Sequence, residues 1–438
     1  MLINKVVLRI FNSNYSKALN SVFQSEGELF KNSSNVQQKK LKLMLRHCIQ
    51  NVPFYQDLKY EKQVSIFDFP IVDKKIINKN FQDFLAENIS VNRRKKNSTS
   101  GSTGTNFHFF SDNYTDVYRH AFVNLGEQWS GANLNQRKLI IWGAERDIWY
   151  SFKKKLINSR FLFNSKIISS YHMTDADIDN IIIPTINNFI PSVIVGYPSS
   201  LAHIADYLTR NKICLNHHPK GIITSGESLS DLNRIKIENA FGAKVFNRYG
   251  CRDVGAIAHE CEAHEGMHVF SDHVFIEIIN EMGEPCKPGE IGEIVVTDLD
   301  NYVFPFVRYK IGDIGRWGVK ECKCGRKLPL LESVEGRTFD LILGTNNNKV
   351  PGNYFSILSR KVKGIDQFQI IQEKVGFLEV RLKVNAEYQE SNDEKLISIM
   401  KDKLGNEMII KVNHVPKIDS TISGKFRWVI SKINIYES

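Results

Sequence analysis

Eight consecutive residues, Ser98-Thr-Ser-Gly-Ser-Thr-Gly-Thr105, carry six hydroxyls and two glycines. Glycines allow a turn whose backbone N–H groups converge on an anion, and hydroxyls add donors to phosphate oxygens. No Gly-Lys-Ser/Thr closes the segment, so it is not a Walker A loop. The composition fits a phosphate cradle and equally a flexible Ser/Gly linker. A second chemical group is Cys322-Lys-Cys324 together with Cys261, which has His259, His264 and His268 around it in sequence. Two thiols one residue apart suit a metal better than plain packing, and four Cys or His ligands suit tetrahedral Zn²⁺. Read singly, Asp313 is a turn aspartate following glycine, and Lys425 is one more solvated lysine.

These residues need elements to hold them. From 39 to 72 the pattern is helical, broken at Val52-Pro-Phe-Tyr55 and again around Asp68-Phe-Pro70. The polar, basic run Asn92-Arg-Arg-Lys-Lys-Asn97 leads into the hydroxyl-rich loop. Apolar runs at 138–142, 192–197, 221–225 and 243–248 predict buried strands, with helices at 199–209 and 230–241 between them. That alternation indicates an α/β sheet with parallel pairing. After about 255 the runs at 274–279 and 293–297 lie between Gly and Pro turns, which predicts an antiparallel subdomain. Strands at 367–372, 377–384 and 408–415 with a helix at 392–404 predict a small, separate α+β domain. The expected organisation is a large domain over 1–336, containing the subdomain at about 255–335, and a small domain over 337–438.

Composition sets limits. The 438 residues can bury large cores, and 42% of them are hydrophobic. The net charge of +10 permits attraction to polyanions. No basic helix, zinc-finger spacing or RNA-recognition signature accompanies it, so nucleic acid is not an expected partner. No stretch reaches the ~18 apolar residues of a membrane-spanning helix. The segment 1–11 reads as an amphipathic helix packed on the body, and a cytoplasmic protein is expected. Seven cysteines without a signal peptide argue against a disulfide scaffold.

Six motifs in order resemble those of the acyl-adenylate-forming superfamily, which includes acyl-CoA synthetases and luciferases. Thr99-Ser-Gly-Ser-Thr-Gly-Thr105 is similar to its phosphate loop, and Thr224-Ser-Gly-Glu-Ser228 to the segment lining the adenine pocket. Asn247-Arg-Tyr-Gly-Cys-Arg-Asp253 resembles its Tyr-Gly-x-x-Glu motif, and Arg308-Tyr-Lys-Ile-Gly-Asp313 its Tyr-Arg-Thr-Gly-Asp motif. Gly336-Arg-Thr-Phe-Asp340 resembles the interdomain hinge, and Ser423-Gly-Lys-Phe-Arg427 the terminal lysine motif. Val52-Pro-Phe-Tyr55, Cys322-Lys-Cys-Gly-Arg326 and Leu331-Glu-Ser-Val-Glu-Gly-Arg337 resemble the phenylacetate–CoA ligase-like branch. Within that branch the chain looks most like members associated with capsular polysaccharide synthesis and the coenzyme F adenylylating synthetases.

The resemblance implies an ATP-dependent ligase that activates a carboxylic acid, aryl acids among the candidates, as its acyl-AMP. CoA, a carrier protein or a small-molecule acceptor would then take the acyl group. It assigns Ser100, Gly101, Ser102, Thr103, Gly104 and Thr105 to the phosphates, and Ser225, Gly226, Glu227, Tyr249 and Gly250 to the adenine side. Asp313 would accept from both ribose hydroxyls, because a carboxylate's paired acceptors suit a vicinal diol. Asp253 would hold Mg²⁺, although the family usually has Glu there and the shorter side chain reaches less far. Arg337 joins the nucleotide site at the domain junction, and Asp340 is the hinge about which the small, mobile domain rotates. Lys425 would be catalytic, at the α-phosphate and the attacking carboxylate. By analogy with related ligases, Cys261, His268, Cys322 and Cys324 would bind a structural Zn²⁺. Trp142, Tyr197, Pro198 and Tyr249 stand near motif ends where an acid pocket could form. Two other outcomes fit the same motifs: an adenylyltransferase acting on a hydroxyl, and a non-catalytic nucleotide-binding protein of polysaccharide biosynthesis.

Overall fold

The computed structural model describes residues 17–22, 34–60, 64–100, 106–133, 136–143, 164–170, 173–337, 341–346, 348–351, 354–355, 358, 361–389, 391–418 and 427–433. These fall into two compact units, one within Met1–Leu134 and Phe246–Val334, the other within Asn135–Val245 and Glu335–Ser438. The segment 1–11, expected to be an amphipathic helix, lies outside the described residues. No helix among the described residues is long and apolar enough to cross a membrane.

In the second unit, short β-branched runs form four parallel strands in the order Gly221–Ser225, Val193–Gly196, Lys138–Ile141, Ser165–Ile168. The first two are buried at every position, as a sheet covered on both faces requires. Helix Pro198–Arg210 turns Leu201, Ile204, Ala205 and Leu208 inward. Helix Asp231–Phe241 starts where Ser230 Oγ accepts from Asn233 N (3.2 Å) and stops at Gly242, whose φ is +63°. Both helices and the expected strands lie close to their sequence-based bounds.

The chain's last part is a mixed sheet in the order Ile409–His414, Phe377–Val384, Ile365–Lys374, Val429–Ser431. Ile365–Lys374 and Phe377–Val384 pair antiparallel, and each outer strand pairs parallel with its neighbour. Helix Ser391–Leu404 makes the crossover and buries Leu396, Met400 and Leu404, spaced four apart on one face. This is the small α+β domain the sequence leads one to expect.

The first unit is antiparallel. Its strands run in the order Val274–Ile279, Gly292–Asp298, Tyr309–Trp317, Leu330–Arg337, Met267–Val269, Gly255–Glu260, Val245–Cys251. A separate hairpin pairs Lys95–Ser100 with Asn106–Ser111, and helix Asn113–Trp129 follows directly. Phe69, Phe84, Phe107, Phe109, Phe304, Phe306 and Tyr309 share one core with Met44, Cys48 and Val52 of the N-terminal helical segment.

One buried arginine stitches that segment to the sheet. Arg308, at φ +47°, points its guanidinium at Glu277 through Nε (3.1 Å) and Nη2 (2.8 Å). Its Nη1 donates to the carbonyls of Phe69 (3.2 Å) and Phe67 (3.4 Å). Val72 N then donates to Arg308 O (3.0 Å), and Lys310 N to Val72 O (2.8 Å). Removing one member of a buried pair strands the other charge. Glu277→Ala should therefore cost ~3–5 kcal/mol in urea denaturation. An unchanged unfolding midpoint would contradict this role for the pair.

Candidate active site

Two of the motifs in the first unit, 247–253 and 308–313, meet around two aspartates. Strand Val245–Cys251 pairs with Gly255–Glu260 through an irregular register at Tyr249 and Gly250. A Cβ on Gly250 would lie 2.3 Å from Gly255 O, so this close approach needs glycine. Tyr249, half-buried, donates its hydroxyl to Asp313 Oδ2 at 2.8 Å. Asp313 stands on strand Tyr309–Trp317, directly after Gly312 at φ +89°.

Asp253 lies in the turn after Cys251 and is almost fully buried. Its Oδ2 accepts from Tyr309 Oη (2.8 Å) and faces Lys74 Nζ at 3.3 Å. Its Oδ1 is buried without a hydrogen-bond partner. Burial pushes the Tyr309 hydroxyl well above its ordinary pKa, with the Asp253 carboxylate adding to it, so Tyr309 stays a donor. Burial also raises the Cys251 thiol to about 12, again with Asp253 contributing. Cys251 is thus held as the neutral thiol.

The hydroxyl-rich loop is anchored nearby. Ser100 pairs with Asn106 and Ser98 with His108, so residues 101–105 join the two arms of a hairpin. Arg252 Nη1 donates to Ser98 O at 3.1 Å, tying the loop's base to the residue before Asp253. Gly101, Ser102, Thr103, Gly104 and Thr105 themselves lie outside the described residues, as do Asp340 and Lys425. Ser100 and Arg337 end strands, and their side chains are likewise outside what is described.

In the second unit, Ser225 closes its strand in a buried position. Gly226 has φ +83°, and a Cβ there would meet the Tyr197 ring at 2.9 Å and Trp142 at 3.4 Å. Trp142 and Tyr197 stack with centroids 4.2 Å apart. Glu227 accepts from Ser199 N and Ser199 Oγ, both at 3.0 Å, and so satisfies the start of helix Pro198–Arg210. It is held as a cap rather than presented as a solvated surface carboxylate.

The cysteine group assembles as its spacing suggests. The ligand atoms of Cys261, His268, Cys322 and Cys324 all lie within 4.8 Å of one another. Cys261 Sγ and Cys322 Sγ are 3.5 Å apart, and Cys324 Sγ is 3.2 Å from His268 Nε2. Thiolates on one tetrahedral Zn²⁺ stand about 3.8 Å apart, given Zn–S bonds of ~2.3 Å. Ala263 N donates to Cys261 Sγ and Arg326 N to Cys324 Sγ, both at 3.4 Å, as main-chain amides do around metal-bound thiolates. Burial, helped by the Arg326 guanidinium, takes His268 down to about 4, so the ring is neutral and has a lone pair to offer. His264 instead faces Glu260 Oε2 at 3.3 Å and packs on Phe246, and His259 bonds Glu260 O at 2.7 Å.

One residue of this site carried no signal in the sequence. Lys74 reaches Asp253 from the helix Lys74–Lys79, far away in the chain. Tyr309 was visible only as part of a motif; its bond to Asp253 depends on the strand order.

Known proteins agree with the architecture. The family model described as CapK C-terminal domain matches residues 342–432. Protein CapK of Staphylococcus aureus is 25% identical over 413 residues, covering 88% of this chain and 86% of that protein. The phenylacetate-coenzyme A ligase of Thermus thermophilus is 27% identical over 205 residues, 45% of this chain and 46% of the ligase. Its homologues are thus CapK and phenylacetate-coenzyme A ligases, consistent with the phenylacetate–CoA ligase-like branch of the acyl-adenylate-forming superfamily. A crystal structure of 2-hydroxyisobutyryl-CoA ligase in the postadenylation state, with 2-HIB-AMP, shares the fold of this chain. It superposes with a TM-score of 0.73 at 17% identity, covering 93% of this chain and 92% of that one.

Proposed function

We propose that this protein is an ATP-dependent, adenylate-forming ligase that activates a carboxylic acid as acyl-AMP and passes the acyl group to CoA or another acceptor. The observation that carries the reading is the pair of carboxylates at the ends of two nucleotide motifs, each held through a tyrosine hydroxyl. Tyr249 and Asp313 form one bonded unit, suited to a nucleoside: a ring face beside a carboxylate that can accept from a vicinal diol. Asp253 offers an oxygen that is buried and unbonded, which fits a divalent cation such as Mg²⁺. Mg²⁺ there would offset the charge of the phosphates and of departing pyrophosphate. The loop 98–105 and Gly250 join the nucleotide site in this reading, and Ser225, Gly226 and Arg337 are assigned to the nucleotide by their motifs.

The acid's carboxylate attacks the α-phosphorus, and the bond from the α-phosphorus to the bridging oxygen breaks to release pyrophosphate. Lys425 contributes positive charge where negative charge collects in that step. The acceptor's thiol, amine or hydroxyl then attacks the acyl carbon, losing its proton as AMP leaves. A large domain over 1–336, a small one over 337–438 and rotation about Asp340 between the two steps belong to the same proposal, as does a cytoplasmic location.

A second acceptor class has its own support. The match to CapK runs along 88% of the chain, whereas that to the Thermus phenylacetate-coenzyme A ligase covers 45%. Transfer to an acceptor in polysaccharide synthesis is therefore the alternative to CoA. Incubating the protein with acid and MgATP, with and without CoA, separates the two: acyl-CoA marks the first, and CoA-independent turnover the second.

The cysteine cluster is read as a structural Zn²⁺ site holding the antiparallel unit, since four protein ligands leave no open position. Protein purified without chelator should carry about one zinc per chain, and Cys322→Ser with Cys324→Ser should remove it. Metal-free native protein would contradict the site. Lys425→Ala should lower acid-dependent pyrophosphate release by roughly two orders of magnitude while leaving ATP binding and the unfolding midpoint in place. Unchanged release would remove Lys425 from the mechanism.

A further inference from the structure

The turn that carries Asp253 is held by its main chain, and the groups holding it are buried charges outside the nucleotide motifs. Arg119, on helix Asn113–Trp129, donates from Nη2 to Asp253 O at 2.6 Å and to Asp298 Oδ2 at 2.9 Å. The next carbonyl, Val254 O, is 3.0 Å from His273 Nε2, and His273 Nδ1 is 2.7 Å from Asp300 Oδ2. Both ring nitrogens of His273 thus face oxygens that accept.

The two arms are joined. Asp300 N donates to Asp298 Oδ1 at 2.9 Å, and Lys40 Nζ bridges Asp300 Oδ1 and Asp272 O, each at 2.5 Å. Asp298, Asp300 and His273 are completely buried. Burial works to raise Asp300, and the Lys40 ammonium and His273 outweigh it, holding the carboxyl below its ordinary range. The sequence makes room for this arrangement at Gly255. Its φ is +104°, and a Cβ there would lie 2.9 Å from Arg119 Cγ. Phe122, one turn after Arg119, stacks on the His273 ring at 5.0 Å.

His273, Asp298 and Asp300 are close enough to resemble a metal site themselves. Their oxygens and nitrogens are instead engaged by Arg119, Lys40 and two main-chain groups. A cation there would have to displace the Arg119 guanidinium and the Lys40 ammonium. The cluster's output is the pair of bonds to consecutive carbonyls of the Asp253 turn.

We propose that Arg119 and His273 are positioning residues which, braced by Asp298, Asp300 and Lys40, fix the 253–254 backbone so that the Asp253 carboxylate is presented to a divalent cation. The inference rests on the reading of Asp253 as a cation ligand. A freed turn would let Asp253 follow Lys74 and Tyr309, which already hold its other oxygen. Cation binding would weaken while the fold persisted.

The test is Mn²⁺ affinity, read by electron paramagnetic resonance on the full chain with a non-hydrolysable ATP analogue. Wild type is compared with Asp253→Asn, Arg119→Met, Arg119→Lys and His273→Asn. Arg119→Met should weaken Mn²⁺ by about ten-fold or more, the range seen when outer-shell partners of a metal ligand are lost. Arg119→Lys, which keeps a charged donor, should recover much of the affinity, and His273→Asn should weaken it independently should Arg119→Met fail to fold. Wild-type affinity in both folded Arg119→Met and His273→Asn, with Asp253→Asn weakened, would overturn the positioning role alone. Equal Mn²⁺ affinity in wild type and Asp253→Asn would overturn the cation assignment, and this inference with it.

Discussion

A carboxylate can be kept in a protein interior only if donors surround it, and Asp253 meets that demand on one oxygen. Tyr309 and Lys74 take Oδ2; Oδ1 is buried without a partner. Leaving such an atom unsatisfied costs ~1–3 kcal/mol, so its retention needs a reason beyond stability. Much of the antiparallel unit is arranged around this residue. The Arg308–Glu277 pair draws the segment from Phe67 to Val72 against strand Tyr309–Trp317, just before Lys74. That strand supplies Tyr309 to Asp253 and Asp313 to Tyr249. Arg119 and His273 fix the main chain of the turn. The site is therefore a property of the whole unit and not of the short motif that contains Asp253.

The same unit supports itself differently at its other end. There strand Met267–Val269 is only three residues long, and Cys261, His268, Cys322 and Cys324 converge beside Trp129 and Phe270. Arg326 lies over the Trp129 ring and forks onto Glu262, so the cysteine turn is tied to helix Asn113–Trp129 as well as to the sheet. One helix thus touches both ends, through Arg119 at the Asp253 turn and through Trp129 at the cysteine cluster. Small shifts of that helix would be felt at both.

The sequence was most legible where burial dictates pattern. Val193–Gly196 and Gly221–Ser225 are apolar throughout because both faces are covered, and Leu396, Met400 and Leu404 mark the inward face of a helix. The Cys322-Lys-Cys324 pair was legible from its spacing, whereas His268, with His259 and His264 also near Cys261 in sequence, came from the resemblance to related ligases. The hairpin Lys95–Ser100 with Asn106–Ser111 was not: its first arm, Lys-Lys-Asn-Ser-Thr-Ser, has no apolar alternation to reveal a strand. Lys95 is matched by Asp116 at 2.7 Å and Asn97 by Ser111 at 2.9 Å, so polar contacts do what apolar ones usually do. The network of Lys40, Arg119, His273, Asp298 and Asp300 was equally hidden. Charged residues scattered in sequence read as surface, and only the fold brings them together, with His273, Asp298 and Asp300 buried.

The central claim is adenylate chemistry, and acid-dependent exchange of labelled pyrophosphate into ATP tests it most directly. Folded, metal-replete protein would be assayed across aryl, fatty, amino and hydroxy acids. The account predicts exchange with one of these classes and none without acid. Protein that binds ATP yet exchanges pyrophosphate with no acid in the panel would contradict it.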